Sequence, residues 1–593
     1  MDITEKIAGI RAEMAKEELA AYIVSNTDPH NNELVAPRWR SRQWLSGVKG
    51  SAGTVVVTAD WCGLWTDSRY YDAAEEALKG TGIELMRASD FDVPTIEEWI
   101  KSNLAEGSVI GFFGGDVNVE QGKKWAKSLE PAGYPINSDH DLVDRVWKDR
   151  PAEPAGELFL VPEEYAGKSI TAKIALVRAE LKKLKIDAHL LGRTDESCWL
   201  FNFRGTDTPE LTTPYCYTLI TPDEVRFFID PAKLTDKARE IFAEASVKLE
   251  PYSAVSDAMK ALPKTTKLLT VPAHTNLNLG KAAAHCIEIP GKAVVTHIKG
   301  VKNATEIKHT KEALLQDGVA MTKFFAWFYR TLDEGGEISE LMVSRKLREF
   351  RSERPGFRHN SFEAIVGYAA HAALNHYSVD EDSDLKLERE NVLLIDSGGN
   401  YLQGTTDTTR VIPLGEPTQE QKDDYTVVLR GFIDLMSAIF AEGATGAQLD
   451  AICRHNMWKV GRNFKHGTGH GVGFGLEVHE GPQNISARNT EKFVLGQLST
   501  IEPGCYRSGK HGIRIENMVH TILHDENEFG RFFKFENMTW CPINVDLVEP
   551  SLLAQEHLDW LNEYNAGVIE KLSPHLEDNE VTWLTRECRP VKA

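Results

Sequence analysis

The chain contains an internal duplication, and this repeat constrains the fold of its first half. Residues 11–28, RAEMAKEELAAYIVSNTD, align without gaps on residues 178–195, RAELKKLKIDAHLLGRTD. Each copy begins with apolar residues at helical spacing and continues into a short β-forming run. Further segments recur in the same order, so that TVVVT at 54–58 matches YTLIT at 217–221. The duplication predicts two related α/β domains in tandem.

The 593 residues are too many for a single hydrophobic core, and we predict four parts. The two repeats cover residues 1–155 and 156–303, and the Pro- and Glu-containing stretch around 149–164 joins them. A third domain covers residues 304–530, and a C-terminal extension covers residues 531–593.

A long amphipathic helix is expected to open the third domain, with Asn303 as its N-cap and Glu306 completing a capping box. The apolar residues of the C-terminal extension either cover the third domain or form a dimer contact. They include Leu552, Leu553, Trp560, Leu561 and Val568.

Net charge and composition indicate which partners and which cellular compartment the sequence favours. The formal net charge of −21 repels nucleic-acid backbones and anionic membrane surfaces, so we expect neither as the main partner. The first residues, MDITEKIAG, lack the basic and apolar regions of a signal peptide, and no apolar run reaches transmembrane length. Eight cysteines without a CxxC pair fit a reducing compartment. These features predict a soluble cytoplasmic protein.

Five metal-ligand side chains lie between positions 392 and 517, separated by Gly-rich turns and short apolar runs. Four are carboxylates and one is an imidazole, a hard, oxygen-rich set that suits Mn²⁺ or Co²⁺ and also admits Zn²⁺. They are Asp396 in NVLLIDSG, Asp407 in GTTDTTR, His470 in HGTGHGVG, Glu502 in STIEPG and Glu516 in GIRIEN.

The local context of the ligands predicts how they meet. Asp396 and Asp407 are expected on a hairpin whose turn contains the Gly398-Gly399-Asn400 cluster. Either aspartate alone is more often a turn residue, and the joint pattern decides for the metal site. Glycines around His470 disfavour a helix, so we predict an extended backbone that approaches a metal closely.

The last ligand has an arginine two residues before it on a predicted strand. Arg514 and Glu516 therefore project from one face. They form either a surface ion pair or a metal ligand oriented by a guanidinium, and the other four ligands favour the second reading. His376 in HAALNHYSVD and His479 in EVHEGP are further candidates, although a single histidine is more often structural.

These motifs, in this order, resemble those of the pita-bread metallopeptidase family M24, and most closely the three-domain Xaa-Pro aminopeptidases. The similarity also includes DPHNNELVAPRWRSRQWLSGVKGSAG near the start and FFKFENMTWCPI with LDWLNEYNAGVIEKL near the end. It implies an α/β multidomain fold, with two creatinase-like N-terminal domains before an α+β pita-bread catalytic domain and its C-terminal extension. It also implies a cytoplasmic homodimer.

The resemblance further implies a site with two divalent metal ions, preferably Mn²⁺. Asp396 would chelate one ion, Asp407 and Glu516 would bridge both, and His470 with Glu502 would complete the other. His376, His466 and His479 match the substrate-side histidines of the family. Ile501 and Cys505 depart from residues common in this subgroup, which leaves fine specificity open but not catalysis. Arg514, and Arg38 from the PRWRSRQW segment, are further candidates for substrate binding.

The chemistry can also be argued from the bond that is cleaved. An Xaa-Pro bond is a tertiary amide without an N–H group, and a metal-bridging hydroxide can attack it. Glu502 is the expected general base, and His479 is expected to stabilise the charged oxygen of the intermediate. The substrates would be peptides with proline second. Two alternatives stay open, namely a dipeptide-specific prolidase and a non-catalytic binding or scaffold protein of this fold.

Overall fold

The computed structural model describes residues 1–289, 291 and 293–592, so that Ala593 at the end of the predicted C-terminal extension lies outside the described residues. The chain divides into two compact units. One contains residues 1–160 and 168–295, and the other contains residues 161–167 and the chain from Thr296 onward. The four predicted domain ranges remain predictions.

The first repeat is a six-stranded sheet with helices. Its strand order is β4-β3-β2-β1-β5-β6, and β1 pairs antiparallel with β2 and parallel with β5. The strands are β1 (Ala21–Ser25), β2 (Thr54–Thr58), β3 (Cys62–Thr66), β4 (Glu84–Arg87), β5 (Ile110–Phe112) and β6 (Ile136–Asn137). The helices are α1 (Ile3–Lys16), α2 (Ser41–Ser46), α3 (Tyr71–Ala77), α4 (Ile96–Asn103), α5 (Val119–Leu129) and α6 (Leu142–Val146).

The second repeat has the same sheet topology. Its order is β12-β11-β10-β8-β13-β14, and β8 pairs antiparallel with β10 and parallel with β13. The strands are β7 (Leu158–Leu160), β8 (Ala188–Leu191), β9 (Phe203–Gly205), β10 (Cys216–Ile220), β11 (Val225–Ile229), β12 (Val247–Glu250), β13 (Lys267–Leu269) and β14 (Ile287–Glu288). The helices are α7 (Glu163–Ala166), α8 (Ile170–Lys183), α9 (Thr194–Leu200), α10 (Asp236–Glu244), α11 (Val255–Lys260), α12 (Leu277–Ala282) and α13 (Val294–Gly300). The matching strand order gives the duplication in the sequence a structural counterpart.

The remainder of the chain is an α+β domain with short antiparallel sheets. Its helices are α14 (Ala304–Asp333), α15 (Glu340–Ser352), α16 (Gln419–Met436), α17 (Gly446–Lys459), α18 (Gln555–Leu572) and α19 (Asp578–Glu587). Its strands are β15 (Phe357–Asn360), β16 (Ile365–Tyr368), β17 (Val392–Ser397), β18 (Gly399–Tyr401), β19 (Gly404–Thr405), β20 (Thr408–Pro413), β21 (Ile439–Ala441), β22 (Gly469–His470), β23 (Asn484–Ile485), β24 (Leu498–Ile501), β25 (Gly504–Arg507), β26 (His511–Arg514), β27 (Asn517–Asn527) and β28 (Gly530–Asn537). The main sheets have the orders β16-β17-β20, β15-β18-β19 and β21-β28-β27-β24.

The first helix of this domain begins as predicted. The Asn303 side chain accepts hydrogen bonds from the first turn of α14, and the Glu306 side chain accepts one from the Asn303 backbone. The buried face of α14 and the C-terminal helix α18 contribute to one hydrophobic core. Leu561 and Val568 are fully buried there, whereas Leu552 stays 38% exposed. The extension thus covers the third domain with most of its apolar residues.

The hairpin predicted for the two aspartates differs in one respect. β17 and β20 do pair antiparallel, with Asp396 opposite Thr409. The turn, however, does not lie at Gly398-Gly399-Asn400, because Gly399 and Asn400 belong to β18, which pairs with β19 in a second sheet. Gly398 is needed where the chain passes between the sheets, since a Cβ there would approach the Thr406 carbonyl oxygen to 1.9 Å.

None of the helices in the described part of the chain is long and apolar enough to cross a membrane.

Candidate metal centre

The five predicted ligands converge at the ends of short strands in the α+β domain. Asp396 lies near the end of β17, and Asp407 lies just before the paired strand β20. His470 ends β22, Glu502 follows β24, and Glu516 lies between β26 and β27. Strand ends from several sheets therefore meet at one place.

Two glycines explain the approach of His470. A Cβ at Gly469 would lie 2.0 Å from the carbonyl oxygen of Thr500, and a Cβ at Gly471 would lie 2.0 Å from that of Glu480. Only glycine allows such close backbone contacts on both sides of the histidine. The extended backbone predicted from the HGTGHGVG motif is observed, and His466 and His470 do not share a helix.

The ligand atoms lie within the span of a metal cluster. His470 Nε2 lies 3.4 Å from Asp407 Oδ2 and 3.7 Å from Glu502 Oε1. One ligand atom from each of Asp407, His470 and Glu516 can be chosen so that all lie within 4.8 Å of one another. His470 Nδ1 lies 2.9 Å from the carbonyl oxygen of Gly471, to which it can donate. This hydrogen bond leaves Nε2 with the lone pair that a metal requires.

Arg514 contacts a different ligand from the one predicted. Its Nη2 donates to Asp396 Oδ2 at 2.6 Å. The expectation that Arg514 pairs with Glu516 is therefore wrong. The strand breaks after Arg514 and a new strand begins at Asn517, so the alternation of one continuous strand does not apply.

Burial raises the proton affinity of Asp407, Glu502 and Glu516. Burial, and then the charge of Asp396, raise the pKa of Asp407 well above its usual value. Burial, followed by the neighbouring carboxylates, does the same to the pKa of Glu516. Burial raises the pKa of Glu502 to about 7. Carboxylates packed this closely repel one another unless protons or cations are present.

Two carboxylate oxygens identify where cations fit. Asp396 Oδ1 and Asp407 Oδ1 are buried and have no hydrogen-bond donor among the described residues. A buried acceptor without a partner costs free energy, and a divalent cation removes that cost. Oxygen donors with one imidazole match the preferences of Mn²⁺ and related ions. The residues present therefore fit a divalent metal site.

The predicted ligand Glu516 is held by residues that the sequence analysis did not select. Thr409 Oγ1 donates to Glu516 Oε2 at 2.7 Å. The buried Arg410 donates to the backbone carbonyl oxygens of Glu516 and Cys541, at 2.7 and 2.8 Å, and to the Tyr564 hydroxyl at 2.9 Å. Thr409 and Arg410 complete the GTTDTTR motif, so their proximity to Asp407 was the available signal.

Tyr506 is a third residue that the sequence analysis missed. Its hydroxyl accepts from Arg514 Nη1 at 2.7 Å and lies 2.8 Å from His466 Nε2. The hairpin register pairs Gly504 with Arg514 and Tyr506 with Gly512. These two pairs share one face of the ribbon, so Tyr506 and Arg514 are diagonal neighbours. Predicting this required the position of the turn.

The three predicted histidines lie in the same domain as the ligands. The rings of His479 and His470 are nearly perpendicular, at 85°, and their centroids are 4.2 Å apart. Burial, followed by the charges of Arg514 and His376, lowers the pKa of His466 well below its usual value. His376 is therefore close enough to His466 to influence its ionisation.

Arg38 lies in the first repeat. Its guanidinium donates to the Pro151 carbonyl oxygen at 2.9 Å and to Asp144 at 3.4 Å. These contacts account for both terminal nitrogens, and the predicted role in substrate binding stays a prediction.

Family models match almost the whole chain. Residues 308–521 match the metallopeptidase family M24, and residues 531–591 match its C-terminal region. Residues 6–145 and 149–306 each match a creatinase/prolidase N-terminal domain.

Full-length relatives are more specific. Aminopeptidase P2 of Arabidopsis thaliana is 34% identical over 99% of this chain and 89% of its own length. A probable Xaa-Pro aminopeptidase P of Laccaria bicolor is 36% identical over 100% of this chain and 94% of its own length. The chain belongs to the aminopeptidase P family of M24 metallopeptidases. Both the resemblance seen in the sequence and the predicted fold class are confirmed.

A solved structure supports the assignment to this family. The crystal structure of X-prolyl aminopeptidase from Caenorhabditis elegans covers 100% of both chains, with a TM-score of 0.96 and 34% identity. That protein is described as a cytosolic enzyme with a di-nuclear active site.

Proposed function

We propose that this chain is an Xaa-Pro aminopeptidase that hydrolyses the first peptide bond of peptides with proline at the second position. The observation that carries the proposal is the cluster of four buried or half-buried carboxylates and one histidine. Two of its oxygens, on Asp396 and Asp407, have no hydrogen-bond donor among the residues that the structure describes. The full-length similarity to aminopeptidase P proteins supports the same activity.

The proposed site holds two divalent ions, preferably Mn²⁺. Asp396 would bind one ion, Asp407 and Glu516 both, and His470 with Glu502 the other. When bound, the ions supply a water of lowered pKa and polarise the scissile carbonyl. The di-nuclear site described for the worm enzyme supports the number of ions. The oxygen-rich ligand set supports Mn²⁺ over softer metals.

Glu502 is the proposed general base. Its pKa of about 7 in the metal-free protein shows how strongly burial favours its protonated form. A carboxylate in this environment can accept a proton from the attacking water and deliver it to the departing proline nitrogen. That nitrogen becomes a secondary amine and must be protonated to leave.

Histidines complete the proposed site on the substrate side. A protonated or donating His479 beside His470 can stabilise the charge on the carbonyl oxygen as the amide becomes tetrahedral. His466 Nε2 forms a hydrogen bond with the Tyr506 hydroxyl. Held in this way, His466 can help bind the substrate. His376 is proposed to take part in polarising the carbonyl and in transferring protons.

We also propose a cytoplasmic location and a homodimer. The cytosolic worm enzyme and eight free cysteines support the location. The dimer follows from the family resemblance and predicts twice the monomer mass in light scattering after size exclusion.

The test is cleavage of a panel of Xaa-Pro peptides by protein stripped of metal and then reloaded with Mn²⁺. We expect release of the first residue only with metal, and no cleavage of N-acetylated controls, which lack the free amine. Faster turnover of Gly-Pro than of an Xaa-Pro-Pro tripeptide would favour a prolidase. Absence of cleavage in the metal-loaded protein would contradict the proposal and favour a binding protein.

A further inference from the structure

A buried carboxylate outside the metal centre holds the segment that contains His376. Glu340 is the first residue of α15 and is fully buried, at 0% exposure. Its ion-pair partner within the described residues is His371, and no lysine or arginine there lies close enough to pair with it. A carboxylate buried without a strong cation needs several hydrogen-bond donors.

The donors to Glu340 come from both ends of one segment. The backbone N–H of Tyr368 donates to Oε1 at 2.6 Å, and the backbone N–H of Leu385 donates to Oε2 at 3.2 Å. These residues bound a segment between β16 and β17, here called the His376 loop (residues 369–384). One side chain therefore closes the base of the loop.

Side chains within the loop bind the same carboxylate. His371 Nδ1 lies 3.0 Å from both oxygens of Glu340, and the Tyr377 hydroxyl lies 3.0 Å from Oε2. The two rings are 4.4 Å apart. Tyr377 directly follows His376, so Glu340 fixes the backbone next to the predicted substrate-side histidine. All of these donors lie on the loop or at its base.

The other side of the loop packs on the strand that leads to the metal centre. A Cβ on Gly512 would lie 1.7 Å from the carbonyl oxygen of Ala372, which shows how closely the loop approaches β26. Arg514, which donates to the ligand Asp396, is two residues further on this strand. The loop is thus held between Glu340 and the strand that orients a metal ligand.

We propose that Glu340 is a positioning residue that holds His376 in its active orientation. The inference rests on the proposed role of His376 in the peptidase reaction. Among the described residues, Glu340 forms no hydrogen bond or ion pair with a predicted metal ligand. Its effect on turnover would be exerted through the loop, because a displacement of about 1 Å can reduce a rate about a hundred-fold.

A double-mutant cycle tests this role. In Glu340→Gln the amide places N–H groups where an oxygen accepted from Tyr368 or Leu385. We expect kcat for an Xaa-Pro-Pro tripeptide to fall about ten-fold, with KM and Mn²⁺ content changed less than about two-fold. In the His376→Ala background the same change should cost less than about two-fold, because the residue through which it acts is absent.

The outcomes separate positioning from general stability. Asp434→Asn is the matched control, because Asp434 accepts from His557 at 3.0 Å and from Asn456 at 2.7 Å, away from the loop. It should lower the melting temperature and leave kcat unchanged. An equal loss of kcat from Glu340→Gln in both backgrounds would overturn the inference, as would a wild-type kcat.

A second variant keeps the test decisive if Glu340→Gln does not fold. Tyr377→Phe removes one hydroxyl donor and should lower kcat about two- to three-fold, again only when His376 is present. No loss, or an equal loss without His376, would contradict the inference. If His376→Ala has wild-type kinetics while Asp407→Ala is inactive, then the role of His376 fails and the inference with it, whereas the metal site stands.

Discussion

Two sets of buried carboxylates in the α+β domain differ in how their oxygens are satisfied. Asp424 accepts from Arg462, Arg507 and His511, and both of its oxygens have donors. Glu340 likewise has donors on both oxygens. Asp396 and Asp407, by contrast, each keep a buried oxygen that has no donor in the described part of the chain.

The difference shows which carboxylates stabilise the fold by themselves. Although burial opposes it, hydrogen bonds from His511, Arg507 and Arg462 hold the pKa of Asp424 well below its usual value. Burial raises the pKa of Asp407 instead. Asp424 is therefore stable as an anion in the protein alone. Asp407 requires protons or cations, which is the condition of a metal ligand before the metal binds.

The largest effect should come from removing a donor-deficient carboxylate. Asp407→Asn keeps the shape of the side chain and removes the negative charge. We expect loss of bound Mn²⁺ and a fall in kcat of about a thousand-fold or more, since metal activation is worth several kcal/mol. Metal content by mass spectrometry and cleavage of an Xaa-Pro-Pro peptide measure both. Glu516→Ala should behave in the same way.

The comparison also predicts what this substitution leaves unchanged. Without metal, Asp407→Asn should not lower the melting temperature, because it removes a buried carboxyl group whose ionisation is unfavourable in the folded protein. Retained metal and activity in Asp407→Asn or Glu516→Ala would refute the dinuclear assignment.

The second prediction concerns Asp424, where substitution should lower the stability of the protein and leave metal binding nearly unchanged. Asp424→Asn should destabilise the protein by about 3 kcal/mol, because it leaves the buried ring of His511 and the guanidinium groups of Arg462 and Arg507 without their buried anion. Urea unfolding of the metal-free protein measures this loss. Mn²⁺ affinity should change less than about ten-fold. A stable Asp424→Asn protein would show that the two groups of carboxylates do not differ in the way inferred.

The candidate ligand residues could be selected from the sequence, because each stands in a short motif with a turn or strand signal. Asp396 follows an apolar strand and His470 lies between glycines, and both features are local. The duplication likewise followed from gapless alignment, and the two sheets share one strand order. Local patterns of this kind predict the folded structure well because they reflect the conformation of the backbone.

Contacts between distant segments could not be predicted in this way. The pairing of Arg514 with Asp396 joins residues 118 apart in the chain, and Glu340 binds the backbone N–H of Tyr368, 28 residues later, at the base of the His376 loop. The prediction of an Arg514–Glu516 pair failed because it assumed one continuous strand. Tyr506 was missed because its neighbour depends on where a hairpin turns. Such contacts are set by register and tertiary packing.

The third prediction concerns pH in the metal-free protein. The pKa of Glu502 is raised from 4.5 to about 7 by burial, so ionisation of its folded form is unfavourable. The penalty is absent below 4.5 and grows as pH rises through about 7. Metal-free Glu502→Gln lacks it and should gain stability over wild type, by on the order of 1–3 kcal/mol at about pH 8 and less at about pH 5.

Added metal should reverse the order of stability of wild type and Glu502→Gln. Saturating Mn²⁺ binds only the folded state and binds wild type more tightly than Glu502→Gln, so wild type becomes the more stable one. Melting temperatures at several pH values, with chelator or with Mn²⁺, provide the comparison. A stability difference that does not depend on pH without metal would count against the inferred charge state of Glu502.

The smallest effect is expected at Arg38, where the same charges meet in a more exposed place. Its partner Asp144 has a side chain that is 52% exposed, and the pair is 3.4 Å apart. Arg38→Ala should therefore cost less than about 1 kcal/mol of stability.

If Arg38 also binds substrate, as predicted from the sequence, KM for longer peptides should rise about two- to five-fold while kcat is unchanged, because the contact would be the same in the ground and transition states. Arg40→Ala is the control from the same segment, since Arg40 donates to the Val35 carbonyl oxygen at 3.2 Å. Unaltered KM in Arg38→Ala would assign this arginine to the folded frame of the first repeat alone.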